Sequence, residues 1–359
     1  MSAANEVYDD LVTEGLPARQ RYLSQVAKSF TLLILFAIMV IFSLYGGTNF
    51  FNARNFNDII IDSSQLVVLS VGMTFVIIAA GIDLSVGSVL ILSSVVAAQV
   101  TIALSGSSQD IARFEFPTQH IGIPIGLVAG MATGLLCGTA NGLLITRLRV
   151  PAFIVTLGML GIALGLGQLL SGGTSVPNVP PAVQTEIGLR ELVAFDLAGQ
   201  HVRITPPVAV AYTIAILAAV ALNRTRFGRY TYAIGSNAPA SRRAGINVDL
   251  HLVKVYALSG LLAGVAGAMD LLRFGTASVG SHQADNLAAI SATVIGGTSL
   301  FGGIGTIGGT VVGAFIPTVL RNGLVIARVQ PFWQNVAIGA VLILAVYLDQ
   351  RRRRAEERM

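Results

Sequence analysis

Two stretches decide the fold: Ala79–Ser88, AAGIDLSVGS, and Val294–Gly305, VIGGTSLFGGIG. Each breaks a long apolar run with glycine, which a helix interior tolerates poorly. Aligned without gaps from Gly81 and Gly297, GIDLSVGSVLILSSVVAA and GTSLFGGIGTIGGTVVGA agree at seven of eighteen positions. In the first copy Leu84, Gly87, Ile91, Val95 and Ala98 are spaced three, four, four and three, which is one helical stripe. A pair of interrupted hydrophobic segments is the mark of a membrane transporter built from internal repeats. Gly81, Asp83, Gly87, Gly296, Gly297, Gly302 and Gly303 are the candidate turn residues. Close helix packing in any polytopic protein is the plainer account of such glycines. As turn residues they are expected to reject bulk more strongly than a helical glycine such as Gly130.

Composition excludes a soluble domain. The 359 residues are 53% hydrophobic and only 11% charged, with a mean hydropathy of +0.73, whereas soluble domains carry about 25% charged residues. The net charge of +5 is not a nucleic-acid signal, because the basic residues cluster between apolar segments. Cys137 is the sole cysteine, so an intrachain disulfide is excluded and a cysteine metal site is implausible. His120, His201, His251 and His282 show no ligand spacing, and the polar, acidic N-terminus carries no cleavable signal peptide.

The expected fold is an all-α integral membrane protein of about ten transmembrane helices, with a repeat read as inverted. The apolar segments are 29–46, 62–81, 84–104, 121–146, 151–171, 204–222, 252–274, 285–301, 305–327 and 332–348. With both termini inside, inner segments hold sixteen of the 23 basic residues and outer segments five, which orients the chain N-in and C-in. The domains are then a cytoplasmic tail (1–28), the permease domain (29–348) and a basic cytoplasmic tail (349–359). An external loop, 172–203, is rich in proline and expected to form an ordered cap with a short helix. An internal loop, 223–251, holds five arginines and one acid, Asp249. NGLLITR from Asn141 and NGLVIAR from Asn322 match at five of seven positions, yet they fall on opposite membrane sides while the glycine turns share one. An inverted repeat with one re-entrant turn accounts for this, and so does a miscounted helix.

No catalytic constellation is visible. Lys28-Ser29 has no glycine beside it, so there is no phosphate-cradling Walker loop. In the internal loop RTRFGRYTYAIGSNAPASRRAGINV, Asn237 can cap a short helix through Ala240, Arg242 and Arg243, with Gly245 ending it. A plain positive-inside anchor is the simpler reading of those arginines. A small basic surface helix also suits insertion into a partner's groove. Asp83 reads as the N-cap of a helix starting at Leu84. Asp270 and Arg273, three apart, read as a structural pair. Asn141, Gln168 and Asn322 serve either as glue between helices or as the lining of a path for a polyhydroxylated solute. Trp333 reads as an interface anchor or as a stacking face for a sugar, with Gln334 and Asn335 beside it.

The stretches AGIDLSVGS, FGRYTYAIGSNAPASRRAGINV, VYALSGLLAGVAGAM and VIGGTSLFGG with its GTVVGA continuation resemble the permease subunit of bacterial ABC importers for monosaccharides, the ribose, galactose, arabinose and xylose group. The resemblance runs from about Leu69 to Asp349. It implies a transport subunit, not an enzyme, in the bacterial inner membrane. Two copies would form the pore, a separate ATP-binding subunit would carry ATP and magnesium, and an extracytoplasmic binding protein would deliver the sugar. No cofactor would bind this chain, and no nucleic acid would be a partner. The resemblance also assigns Tyr232, Gly235, Asn237, Ala240, Arg242, Arg243 and Gly245 to the element that docks on the ATPase. Arg243 stands where the family often has leucine. The same architecture could carry a polyol, an autoinducer, a nucleoside or a branched-chain amino acid. An ion-coupled secondary transporter fits less well, because Asp83, Asp270, Arg273 and Arg321 are the few ionisable residues inside the spans.

Overall fold

The computed structural model describes residues 18–197 and 199–330, with Trp333, Val336, Ala337, Gly339, Ala340, Ile343 and Tyr347 beyond them. Gln334, Asn335, most of the expected 332–348 span and both chain ends lie outside the described residues. In chain order the elements are α1 (Ala18–Gly46), α2 (Ala53–Ile78), α3 (Val86–Ser105), α4 (Ser108–Ala112), α5 (Gln119–Arg147) and α6 (Ala152–Ser171). They continue with a short helix Val183–Gly188, β1 (Val193–Leu197), β2 (Gln200–Ile204), α7 (Pro206–Arg224), α8 (Arg226–Arg243), α9 (Val248–Phe274), α10 (Asp285–Ile295) and α11 (Ile307–Ile326). Among the described residues eight helices are long and apolar enough to cross a membrane: α1, α2, α3, α5, α6, α7, α9 and α11.

The expected span 285–301 is a correction. α10 has only 11 residues, about 16 Å of helix, half of the roughly 30 Å of hydrocarbon. Gly297, at φ +90°, stops it, and the apolar residues that follow belong to a turn. The external segment also differs in part: it holds the expected short helix but ends in an antiparallel hairpin, Val193 opposite Ile204 and Leu197 opposite Gln200. That hairpin is docked on the start of α2, where Arg54 N–H donates to Gln200 Oε1 and Asn57 exchanges two hydrogen bonds with Arg203. It marks one end of the bundle; α8 marks the other.

Both glycine turns close their helices in the same way. Gly81 N–H reaches Val76 O at 2.9 Å and Thr298 N–H reaches Thr293 O at 3.1 Å, the six-residue closure of a Schellman cap. The left-handed residue is Ala80 (φ +60°) in one turn and Gly297 in the other. The structural equivalence is thus Ala80 with Gly297, one residue away from the gapless alignment. An alanine in that conformation costs about 1 kcal/mol that glycine would not.

A continuous run of close backbone packing lies elsewhere, on α5. Gly122, Gly126, Gly130, Gly134, Gly138 and Gly142 recur every fourth residue and form one stripe facing α3 and α9. A Cβ at Gly126 would meet Ala97 O at 2.6 Å, at Gly130 Ser93 O at 2.7 Å, at Gly134 Gly264 Cα at 2.6 Å and at Gly142 Val253 Cα at 2.7 Å. Membrane helices gain little from hydrophobicity against each other, so such backbone approach is what holds them. Gly297 is expected to reject bulk more strongly than Gly130, but among the described residues nothing lies within 4 Å of a Cβ at Gly297, and the crowding is at Gly130. At Gly297 the constraint is the backbone angle.

Candidate functional site: a glycine junction and a polar cavity

The two turns meet each other. Gly303 N–H donates to Ile78 O, 2.8 Å away, joining the second turn to the last residue of α2. α8 lies against this joint because its apolar side fits there: Phe227 packs on Phe75 with ring centroids 5.6 Å apart, and Ile234 is buried. Tyr232 donates from its hydroxyl to Gly305 O at 2.7 Å. Gly235 sits where its absent side chain matters. A Cβ there would lie 2.7 Å from Gly303 N and 2.8 Å from the Ile78 carbonyl carbon, and closer still to Ile78 O. From the other side, Gly302 needs its own lack of a side chain to approach Gly235 O and Ala80.

Beyond Gly235 the chain kinks at Asn237 (φ −159°, ψ 91°), and a new helical turn begins. Asn237 Oδ1 accepts from Ala240 N–H at 2.9 Å, so it caps that turn as its sequence position foretold. Pro239 is tolerated because it falls in a first turn, where a missing N–H costs nothing. Gly245, at φ +85°, ends the element. Arg242 is held by Asp249 across the following turn, whereas Arg243 is exposed.

Asp83 is buried beneath the first turn but is not the helix cap. α3 starts at Val86 with Ser85 before it. Asp83 Oδ1 accepts from Ser85 N–H (3.0 Å) and Ser85 Oγ (2.6 Å), and Oδ2 accepts from Ser259 Oγ (3.0 Å). Asn141 joins the same group by donating from Nδ2 to Ser85 Oγ at 3.0 Å. Asp83 therefore ties the turn to α9 and, through Ser85, to α5.

Towards the hairpin end the structure gathers charges that the sequence scatters. Arg273 pairs with Asp62 of α2, not with Asp270. Asp270 accepts instead from Ser94 and faces His282 Nε2 at 2.8 Å, while His282 Nδ1 faces Asp285 Oδ2 at 2.7 Å. The ring thus bridges two carboxylates, and carboxylates only accept. His282 holds this place at φ +60°, a conformation that persists only where its surroundings dictate it. Arg321 of α11 approaches Asp285 at 3.6 Å. Asp62, Gln65, Arg273, Asp285, Arg321 and Asn322 border a cavity of about 310 Å³ between α2, α9 and α11. Among the described residues no cluster of His, Cys, Asp or Glu is arranged to hold a metal ion.

Asn141, Gln168, Asn322 and Trp333 are not brought together. Asn141 is buried beside the first turn, Asn322 borders the cavity and donates to Asn55 Oδ1 at 2.9 Å, and Gln168 and Trp333 are exposed. Asn55 opens α2 and the turn follows its far end, so Asn141 and Asn322 lie towards opposite ends of the bundle. Asp62, Gln65, His282 and Asp285 were absent from the expected site. His282 and Asp285 are three apart and their spacing could have suggested a pair, but nothing local brings Asp62 to them or to Arg273, which is 211 residues away from it. Outside the spans, His201 on the hairpin lies between Glu191 and Asp196, each 3.2 Å away. The hydrogen bond to Glu191, then that to Asp196, raises its pKa above the usual 6.5.

Comparison with known proteins agrees with a transporter. The chain is 35% identical to the fructose import permease protein FrcC of Rhizobium meliloti, over 97% of this chain and 91% of that protein. It is 33% identical to the ribose import permease protein RbsC of Escherichia coli K12, over 92% and 95%. With the galactose/methyl galactoside import permease protein MglC of the same strain it shares 34% identity, over 91% and 94%. No solved structure matches the chain. Residues 55–346 fit the family described as branched-chain amino acid transport system / permease component. With that match spanning the turns, α8 and the cavity, the chain belongs to this family of membrane permeases and is a transport component, not an enzyme.

Proposed function

We propose that this chain is the membrane-spanning subunit of a monosaccharide importer driven by a separate ATPase. The observation that carries the reading is the glycine junction: α8, an element at the bundle end remote from the hairpin, touches the backbone of both turns through Gly235. A displacement of α8 cannot leave those turns where they are, which is what alternating access requires of a coupling element. The names of the relatives supply the substrate class, since fructose, ribose and galactose are all monosaccharides.

On this reading Tyr232, Gly235, Asn237, Ala240, Arg242, Arg243 and Gly245 form the coupling element, with the exposed Arg243 towards the ATPase. The turns around Gly81, Asp83, Gly87, Gly296, Gly297, Gly302 and Gly303 are the moving joints. ATP and magnesium stay on the partner, and this chain binds no cofactor. An extracytoplasmic binding protein delivers sugar at the hairpin end, a second copy of the permease completes the pore in the lipid bilayer, and both termini are cytoplasmic. The permease domain covers 29–348 between the tails 1–28 and 349–359, with the coupling loop at 223–251 and the external loop at 172–203. The test is uptake of labelled fructose, ribose, galactose and leucine by cells carrying the chain with its ATPase and binding protein. Uptake of a sugar that stops on loss of the ATPase is the expected result. Uptake of leucine alone, or sugar uptake that follows an ion gradient without ATP, would refute it.

A further inference from the structure

The cavity between α2, α9 and α11 has a feature that uptake of a sugar does not by itself demand: each of its charged groups already faces an opposite one. Asp62 holds Arg273. Asp270 and Asp285 share His282, and Asp285 also faces Arg321. An ammonium or carboxylate entering this space would give up its hydration and meet no uncompensated counter-charge in return. Hydroxyl groups lose far less on leaving water. Each carboxylate retains acceptor capacity, and each guanidinium has N–H groups beyond those in its ion pair. Arg321, 3.6 Å from Asp285 and nearly half exposed, is the most loosely held. The amides of Gln65 and Asn322 add donors and acceptors, and Phe274 supplies an apolar face. A volume of about 310 Å³ falls at the small end of ligand clefts.

From this we infer that the permease has its own binding site for a neutral polyhydroxylated solute, a single sugar ring, with Arg321, Asp62 and Asn322 among its hydrogen-bonding groups. The inference rests on the monosaccharide reading above and adds a site to it. A zwitterionic amino acid would be disfavoured there for the reason just given, although it carries both charges.

The test uses the purified full chain in lipid nanodiscs with Cys137→Ala and a reporter, Thr318→Cys, on the cavity wall. Labelling by a membrane-impermeant maleimide is followed with fructose, ribose, galactose or leucine present. A bound sugar should slow labelling by the factor 1 + [L]/Kd, about threefold at twice the dissociation constant. Leucine should leave the rate unchanged. Arg321→Gln should abolish the sugar effect, read as the ratio of rates without and with sugar in that variant. Val325→Cys, also on the cavity wall, is the alternative reporter if Thr318→Cys lowers the yield. Unchanged labelling with all three sugars, or equal slowing by leucine, overturns the site. If the uptake experiment shows sugar import but no protection is seen, the site alone falls. If cells import leucine and no sugar, the monosaccharide reading falls and takes the site with it.

Discussion

Replacing Gly235 with alanine adds one methyl group at the point where three backbone segments meet. That methyl would lie 2.7 Å from Gly303 N and 2.8 Å from the Ile78 carbonyl carbon, where real Cβ contacts stay above 3.0 Å. The obstacles are backbone atoms and cannot rotate away, so α8 must lift or the joint must open. Overpacking of this kind costs about 1–3 kcal/mol. If the joint opens, the hydrogen bond from Gly303 to Ile78 is lost as well, worth about 1 kcal/mol. The total, about 2–4 kcal/mol, should lower the apparent Tm of the purified chain by on the order of 5–10 °C. Sugar uptake should fall further than protein yield, because lifting α8 disturbs the element proposed to carry the ATPase's motion. Gly161→Ala on α6 is the control: among the described residues no atom lies within 4 Å of its Cβ, and alanine gains up to about 1 kcal/mol over glycine in a helix. Wild-type Tm and uptake in Gly235→Ala would refute the junction.

Further outcomes follow from contacts described above. Arg243→Glu should abolish co-purification of the ATPase. The charge swap Arg242→Asp with Asp249→Arg should keep the local pair, so equal loss of folded protein in both variants would show that these arginines serve only the fold. Asp83→Asn should cost about 1 kcal/mol, since an amide can still accept from Ser85, whereas Asp83→Ala leaves buried hydroxyls unpaired at about 1–3 kcal/mol; thermal unfolding that ranks Asn below Ala would contradict the hydrogen-bond assignment. Gly130→Leu should reduce the yield of folded protein more than Gly297→Leu, and fluorescence-detected size exclusion measures both. His201 should titrate above 6.5; because its folded pKa is raised, its contribution to the hairpin is complete below about 6.5 and is lost as pH rises through the raised value. A ring-proton NMR titration with a midpoint at or below 6.5 would overturn that placement.

The turns were legible because glycines inside apolar runs contradict helix propensity, and the contradiction survives in any context. Ala80 was not: nothing about an alanine announces a left-handed backbone, so the gapless alignment set the two turns one residue out of register. α10 looked like a span because hydropathy continues through Ile295 and Leu300, while a single backbone angle at Gly297 ends the helix. The Asp270–Arg273 pair followed from local spacing, and longer-range partners displaced it: Asp62 across the bundle and His282 from a loop. Asn237 was read correctly because capping is a three-residue matter. The α5 ladder was present as a strict four-residue glycine period, a signal as plain as the turns.

That ladder also limits how this protein can change. Along α5 every fourth position is committed to a neighbouring backbone, so no side chain can be introduced there without separating α3 and α9 from it. The cavity, by contrast, is walled by side chains of α2, α9 and α11 whose size and polarity can vary while the backbone stays fixed. Mutational scanning for altered solute preference should therefore yield its variants at positions such as Gln65, Thr318 and Asn322 and return none from Gly126, Gly130, Gly134 or Gly138. A frozen spine beside an adaptable wall lets one scaffold be retuned to new solutes without being rebuilt.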